Sequence, residues 1–187
     1  MRLFLAIELN ATLHELVEEA TAALRDATPE LAWVASDKRH LTLKFLGDVP
    51  EDASTRLASA MDVVCASQRP MEMSVGGIGA FPNFRRARVV WIGVEQEPRL
   101  ELLHHDLELA CERVGFEVEG RPFRPHITLA RVRNPLSADR ARDLGRSARA
   151  IRLRATQRVT EITLFESTLA PSGARYRRVH AATLGGR

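Results

Sequence analysis

The tetrapeptide His40-Leu41-Thr42-Leu43 returns in the second half of the chain as His126-Ile127-Thr128-Leu129. With 6 His, 11 Thr and 23 Leu in 187 residues, random order yields about 0.04 copies of His-x-Thr-Leu, so two copies are roughly a one-in-a-thousand event. The first copy alternates, polar at His40, Thr42 and Lys44 and apolar at Leu41, Leu43 and Phe45, the period of a strand with one face in a core. His and Thr therefore share a face. Two such strands side by side present two imidazoles and two hydroxyls to one cleft. One alternating strand is ordinary; its recurrence makes these four residues candidates for chemistry.

Length and composition bound the setting. A chain of 187 residues, 45% hydrophobic and without a low-complexity run, is expected to form a single domain over residues 1–187, built as one body or two small lobes sharing an interface. No apolar run approaches the roughly 20 residues that span a bilayer, and Met1 to Glu8 is too short before its first acid to be a signal peptide, so a cytoplasmic location and no membrane partner are expected. The two cysteines, Cys65 and Cys111, fall in helical-looking stretches and read as buried reduced thiols.

Along the chain, Arg2 to Leu9 reads as a strand, Asn10 as the N-cap of a helix carrying Leu13, Leu16, Val17, Ala20 and Leu24, Leu31 to Ala35 as a short extended piece, and His40 to Leu46 as the first motif strand. Glu51 and Asp52 open a second helix. Met71 to Phe81, with Gly76, Gly77 and Gly79, reads as a bulged strand and Ala87 to Val94 as a strongly apolar one. A third helix carries Leu100, Leu103 and Leu107 and ends near Gly115. After the second motif come an Arg-rich helix at about 138–148 and strands near 151–155, 159–169 and 176–183, the last two joined by a turn over 170–173. This order is α+β: two antiparallel sheets facing each other, helices outside, and a groove where His40 and His126 meet.

Charge is uneven. The formal balance is +3, Lys occurs only at positions 38 and 44, and residues 121–158 hold 11 Arg against Asp139 and Asp143. Arg favours bidentate contact with phosphate, so this segment reads either as a surface for nucleic acid or a phosphate ester, or as a solvated helix face.

Four blocks together resemble a known family. They are Arg2-Leu3-Phe4-Leu5-Ala6-Ile7-Glu8, His40 through Gly47, Phe81-Pro82 before Val89-Val90-Trp91-Ile92-Gly93-Val94, and Arg121-Pro-Phe-Arg-Pro-His-Ile-Thr-Leu-Ala-Arg131. The chain resembles the two-histidine (2H) phosphoesterases, and among them the bacterial RNA 2′,3′-cyclic phosphodiesterases, long called 2′-5′ RNA ligases. Ser167-x-Leu169 and Tyr176 fit the same order of elements. The resemblance implies a bilobal fold whose two antiparallel sheets are related by a pseudo-twofold. It implies His40 as proton donor, His126 as proton acceptor, and Thr42 and Thr128 as phosphate ligands.

The chemistry of the residues agrees with that implication. Opening a 2′,3′-cyclic phosphate with water needs one group to take a proton and another to give one, and two imidazoles do this near neutral pH. The threonine hydroxyls are placed to bond the non-bridging oxygens. Lys44 falls on the His face by alternation and is a substrate-binding candidate. Arg131 is the other cation, although alternation puts it on the opposite face unless the strand is bulged. Phe84, in a turn with Arg85 and Arg86, is a candidate for stacking on a base. Trp33 and Tyr176 read as core or rim residues, and His14, His104, His105 and His180 as histidines without chemistry. Neither motif His has Cys or carboxylate partners at ligand spacing, so no metal and no cofactor are expected. The expected partner is RNA or a nucleotide bearing a 2′,3′-cyclic phosphate, acted on by a monomer. Ligation through a 2′-5′ linkage, the reverse reaction, and a nonenzymatic RNA-binding module are the competing readings.

Overall fold

Five successive apolar residues, Leu3 to Ile7, leave no polar face on the first strand, β1 (Arg2–Glu8), and all five are buried in the computed structural model, which describes residues 1–170 and 173–185. A strand buried on both faces needs neighbours on both edges. β1 has them in β3 (His40–Asp48) and β8 (Glu161–Ala170), both antiparallel. The other strands are β2 (Ala32–Trp33), β4 (Met71–Phe81), β5 (Val89–Val94), β6 (His126–Arg131), β7 (Arg154–Val159) and β9 (Gly173–Thr183). Among the described residues they form one nine-stranded antiparallel sheet in the order β7-β4-β5-β6-β3-β1-β8-β9, with β2 paired to β6. The α+β expectation holds. The two separate sheets expected are instead one continuous sheet, because β3 pairs with β6 at Leu41 and Ile127; two quartets of strands, each ending on a motif strand, meet at that pair.

Among the described residues, four α-helices pack on the sheet. Asn10 caps α1 (Ala11–Ala27) by accepting from the Leu13 amide at 2.8 Å, and its own amide donates to Gln157 on β7 at 2.9 Å. α1 touches β7 and α4 (Ala138–Ala150), while α4 packs on β4. α2 (Glu51–Ser67) packs on α3 (Pro98–Arg113) and on β8 and β9. One continuous apolar core runs through both quartets, including Leu5, Leu41, Leu57, Ile92, Leu103 and Ile127. α4 continues to Ala150, so β7 begins at Arg154, later than the expected 151. In the turn expected at 170–173, Pro171 and Ser172 lie outside the described residues.

The glycines of β4 have separate uses. Gly77 sits at φ +69°, at the register shift against β5, which makes it the expected bulge. Gly79 is overlain by Trp91, whose ring takes the space that a Cβ there would need.

Both motif strands are bulged at the same place. Against β1, Leu5 pairs with Lys44 and Ala6 with Thr42, leaving Leu43 unpaired; against β5, Val90 pairs with Ala130 and Trp91 with Thr128, leaving Leu129 unpaired. A one-residue bulge reverses the faces beyond it. Lys44 therefore turns away from His40 into the interior, where its Nζ donates to Glu108 Oε2 at 2.6 Å and to the Glu117 carbonyl at 2.7 Å. This corrects its placement among substrate ligands, which had assumed unbroken alternation. Lys44 and Glu108 are 6% and 4% exposed, so either charge alone is stranded away from water. Lys44→Met is expected to destabilise the fold by about 3–5 kcal/mol in chemical denaturation, and Lys44→Met with Glu108→Met to recover most of that loss. Equal losses in the single and double variants would show that the pair is not the source.

Candidate active site

The antiparallel register through Leu41 and Ile127 places the two motifs head to tail. Continued one residue either way, it brings His40 beside Thr128 and Thr42 beside His126. All four residues line one cleft of about 500 Å³. The four expected residues thus line one cleft, and the register sets one threonine across from each histidine.

Each ring is held in the same way. His40 Nδ1 donates to the Lys38 carbonyl at 2.9 Å and His126 Nδ1 to the Arg124 carbonyl at 2.7 Å, in both cases two residues upstream. A carbonyl only accepts, so each bond fixes the proton on Nδ1 of the neutral ring and leaves Nε2 for chemistry. Aromatic walls complete the support. Phe4 stacks on His40 with ring centres 4.9 Å apart and stacks in turn on Phe165, while Tyr176 meets His40 edge-on at 5.4 Å. Phe81 stands edge-on to His126 at 4.9 Å, with Trp91 behind it. Sequence reasoning assigned none of Phe4, Phe81, Trp91 and Phe165 to the site, because their role arises from pairing across β1, β4, β5 and β8. A shorter signal was available: a basic residue precedes each motif His by two, Lys38 and Arg124, and supplies the orienting carbonyl.

The bulges decide the cations. Leu129 and Ala130 are both buried, so Arg131 comes out on the His126 face and lines the cleft. Phe45 takes the equivalent position on β3 and also lines it, 72% exposed. Arg2, Lys38, Ser167 and Tyr176 contribute to the lining; none of them was expected as a ligand, and Tyr176 is the rim residue it was expected to be. Of the Arg-rich segment, Arg131 alone is among the cleft-lining residues. Arg121, Arg140, Arg142, Arg146 and Arg154 pair with Glu119, Glu30, Asp139, Asp143 and Glu95. Phe84 is also displaced from its expected role. It packs against Gly145 of α4 under the Arg149 guanidinium, 5.4 Å from its ring centre, and is not part of the cleft lining.

Of the other histidines, His14 meets Ser36, His104 lies flat on Phe123, and His180 pairs with Asp62 at 2.7 Å. Cys65 and Cys111 are free and buried, their thiols pushed up to about 12 and about 11 chiefly by burial, which leaves them unreactive. Among the described residues no group of three or more His, Cys, Asp or Glu is arranged to hold a metal ion.

The comparisons with known proteins bear on this site. The family model of the 2′-5′ RNA ligase superfamily matches residues 12–169. The chain belongs to that superfamily. A protein of Methanothermobacter thermautotrophicus named RNA 2′,3′-cyclic phosphodiesterase is 34% identical over 176 residues, covering 94% of this chain and 95% of its own. One of the same name from Archaeoglobus fulgidus is 32% identical, covering 95% and 97%. A Thermus thermophilus crystal structure superposes with a TM-score of 0.83 at 28% identity over the full length of both chains. Apo LigT of E. coli superposes with 0.77 at 29% identity over 97% and 96%, and LigT has also been crystallised with 3′-AMP and with phosphate.

His40 lies below the ordinary histidine range because burial disfavours its charged form; its bond to Lys38 opposes this, and the Arg131 charge adds to it. In the free protein the His40 ring is expected to titrate below 6.5 by NMR, and Arg131→Gln to move that titration upward. No movement in Arg131→Gln would remove the coupling between the two side chains.

Proposed function

We propose that this protein hydrolyses the 2′,3′-cyclic phosphate at the end of RNA or of a nucleotide, leaving a 2′-phosphomonoester. The observation that carries this reading is the matched pair of imidazoles, each fixed through Nδ1, lining one cleft together with Thr42 and Thr128. The names of its relatives and the superfamily it belongs to point to the same chemistry.

In the proposed reaction the cyclic phosphate sits between the two histidines, its non-bridging oxygens bonded by the hydroxyls of Thr42 and Thr128 and faced by the Arg131 guanidinium. Neutral His126 accepts a proton through Nε2 from water as the water oxygen attacks phosphorus. The bond from phosphorus to the ribose 3′ oxygen breaks, and His40 gives that oxygen a proton. His40 must therefore be charged at this step, although burial and Arg131 oppose its charging in the empty site. A bound phosphate anion offsets the Arg131 charge and favours the imidazolium, so the substrate helps to arm its own acid. Phe45 offers an exposed ring to the base.

The reverse step, joining ends through a 2′-5′ linkage, uses the same groups, and abundant water favours hydrolysis as the net direction. A binding module would need neither the paired histidines nor their orienting bonds. We read the two quartets as two lobes of one domain over residues 1–187, acting as a monomer in the cytoplasm. The continuous core supports the single domain, and the unpaired cysteines fit a reducing compartment.

Turnover of a nucleoside 2′,3′-cyclic phosphate tests the proposal directly. His40→Ala and His126→Ala should each lose about 10²- to 10⁴-fold in kcat, Thr42→Ala and Thr128→Ala should each be slowed with the fold intact, and EDTA should leave activity unchanged. Near-full activity in either histidine variant, or loss to EDTA reversed by a divalent ion, would falsify the mechanism.

A further inference from the structure

A second cavity, of about 530 Å³, opens off the catalytic cleft and shares Thr42, Phe45 and His126 with it. Part of its remaining wall, Glu119 to Arg124, belongs to the segment that leads into the second motif, and the rest comes from β3, Phe81 of β4, and α3. Phe123 lies flat on His104, ring centres 3.9 Å apart and planes 11° from parallel, and Phe81 and Pro122 extend the apolar surface. The wall is braced from beneath: Lys44 holds the Glu117 carbonyl, and Glu108 Oε2 accepts from the Glu119 amide at 2.9 Å. The charges are largely matched. Lys44 is balanced by Glu108, and Arg121 by Glu119 through Nε at 3.0 Å and Nη2 at 2.9 Å. Arg124 also lines the cavity, and its guanidinium has no ion pair among the described residues.

Aromatic surface joined to an uncompensated cation is the combination that holds a base and its phosphate in single-stranded nucleic acids. The size of the cavity is that of a small-ligand site. Geometry supplies the connection. A nucleotide whose 2′ and 3′ oxygens are tied up in the cyclic phosphate continues into RNA only through its 5′ oxygen, so a chain must leave the catalytic cleft on its way to the preceding residue. The second cavity opens from the cleft at the phosphate-binding residues themselves.

We propose that this cavity binds the nucleotide preceding the cyclic end, its base against Phe123, so that the protein recognises RNA ends in preference to cyclic mononucleotides. The inference rests on the hydrolase reading above and adds a substrate class to it. A stacked base raises kcat/KM for a dinucleotide with a 2′,3′-cyclic end at least about tenfold over that for the matching cyclic mononucleotide. Phe123→Leu reduces that advantage to less than about threefold while the mononucleotide value stays within about twofold of wild type, and Phe123→Tyr, which keeps the ring, retains the advantage.

Equal wild-type kcat/KM on the two substrates overturns the inference and leaves the hydrolase reading standing. An advantage undiminished in Phe123→Leu overturns it as well. A parallel fall on both substrates in Phe123→Leu, reversed in Phe123→Tyr, places the terminal nucleoside in this cavity and also overturns it. If wild type turns over neither substrate, the hydrolase reading fails and the inference with it.

Discussion

The site depends on one antiparallel contact, between Leu41 and Ile127, both fully buried, where the two quartets of strands meet. An antiparallel pair has a local twofold relation between its strands, so identical sequences laid across it present identical groups to a shared cleft. That is why a four-residue repeat suffices. His40 and Thr42 come from one quartet and His126 and Thr128 from the other, and burying the leucine and isoleucine between them positions all four at once. Apolar burial, which has no direction of its own, acquires one here because the strand period ties each buried residue to the polar residues beside it.

The bulges at Leu43 and Leu129 add the asymmetry. Beyond each, the inward position is taken by Lys44 on β3 and Ala130 on β6, and the cleft position by Phe45 and Arg131. One strand thus brings an aromatic ring to the cleft and the other a cation. Lys44, turned inward, braces the segment that carries the second motif by holding Glu108 and the Glu117 carbonyl. A residue of the first motif strand therefore supports the approach to the second.

Electrostatics in the cleft are set locally and not by the net charge. Five of the eleven Arg in residues 121–158 pair with nearby acids, and of the eleven Arg131 alone lines the cleft. The cations at the cleft are Arg2, Lys38 and Arg131, drawn from three separate parts of the chain. The aromatic wall of Phe4 and Phe165 behind His40 helps to bury that ring, and its burial disfavours the charged form.

From the sequence alone, the repeat determined which four polar residues would share a cleft, since strand alternation is a local property and a chance recurrence is rare. The helices were legible for the same reason, as Asn10 and the buried Leu13, Val17 and Leu24 of α1 illustrate, although Leu16, expected on the same stripe, is exposed. Tertiary structure decided what local reasoning could not reach. A bulge is a mismatch between two strands, so neither strand alone shows that Lys44 turns inward or that Arg131 turns out. Phe84 looked free to stack on a ligand because the turn that holds it is local, whereas Gly145 and Arg149, which cover it, lie far along the chain in a different helix. The aromatic walls of Phe4 with Phe165 and of Phe81 with Trp91 are likewise cross-strand pairs, set by sheet order and register, which depend on how the whole apolar core closes.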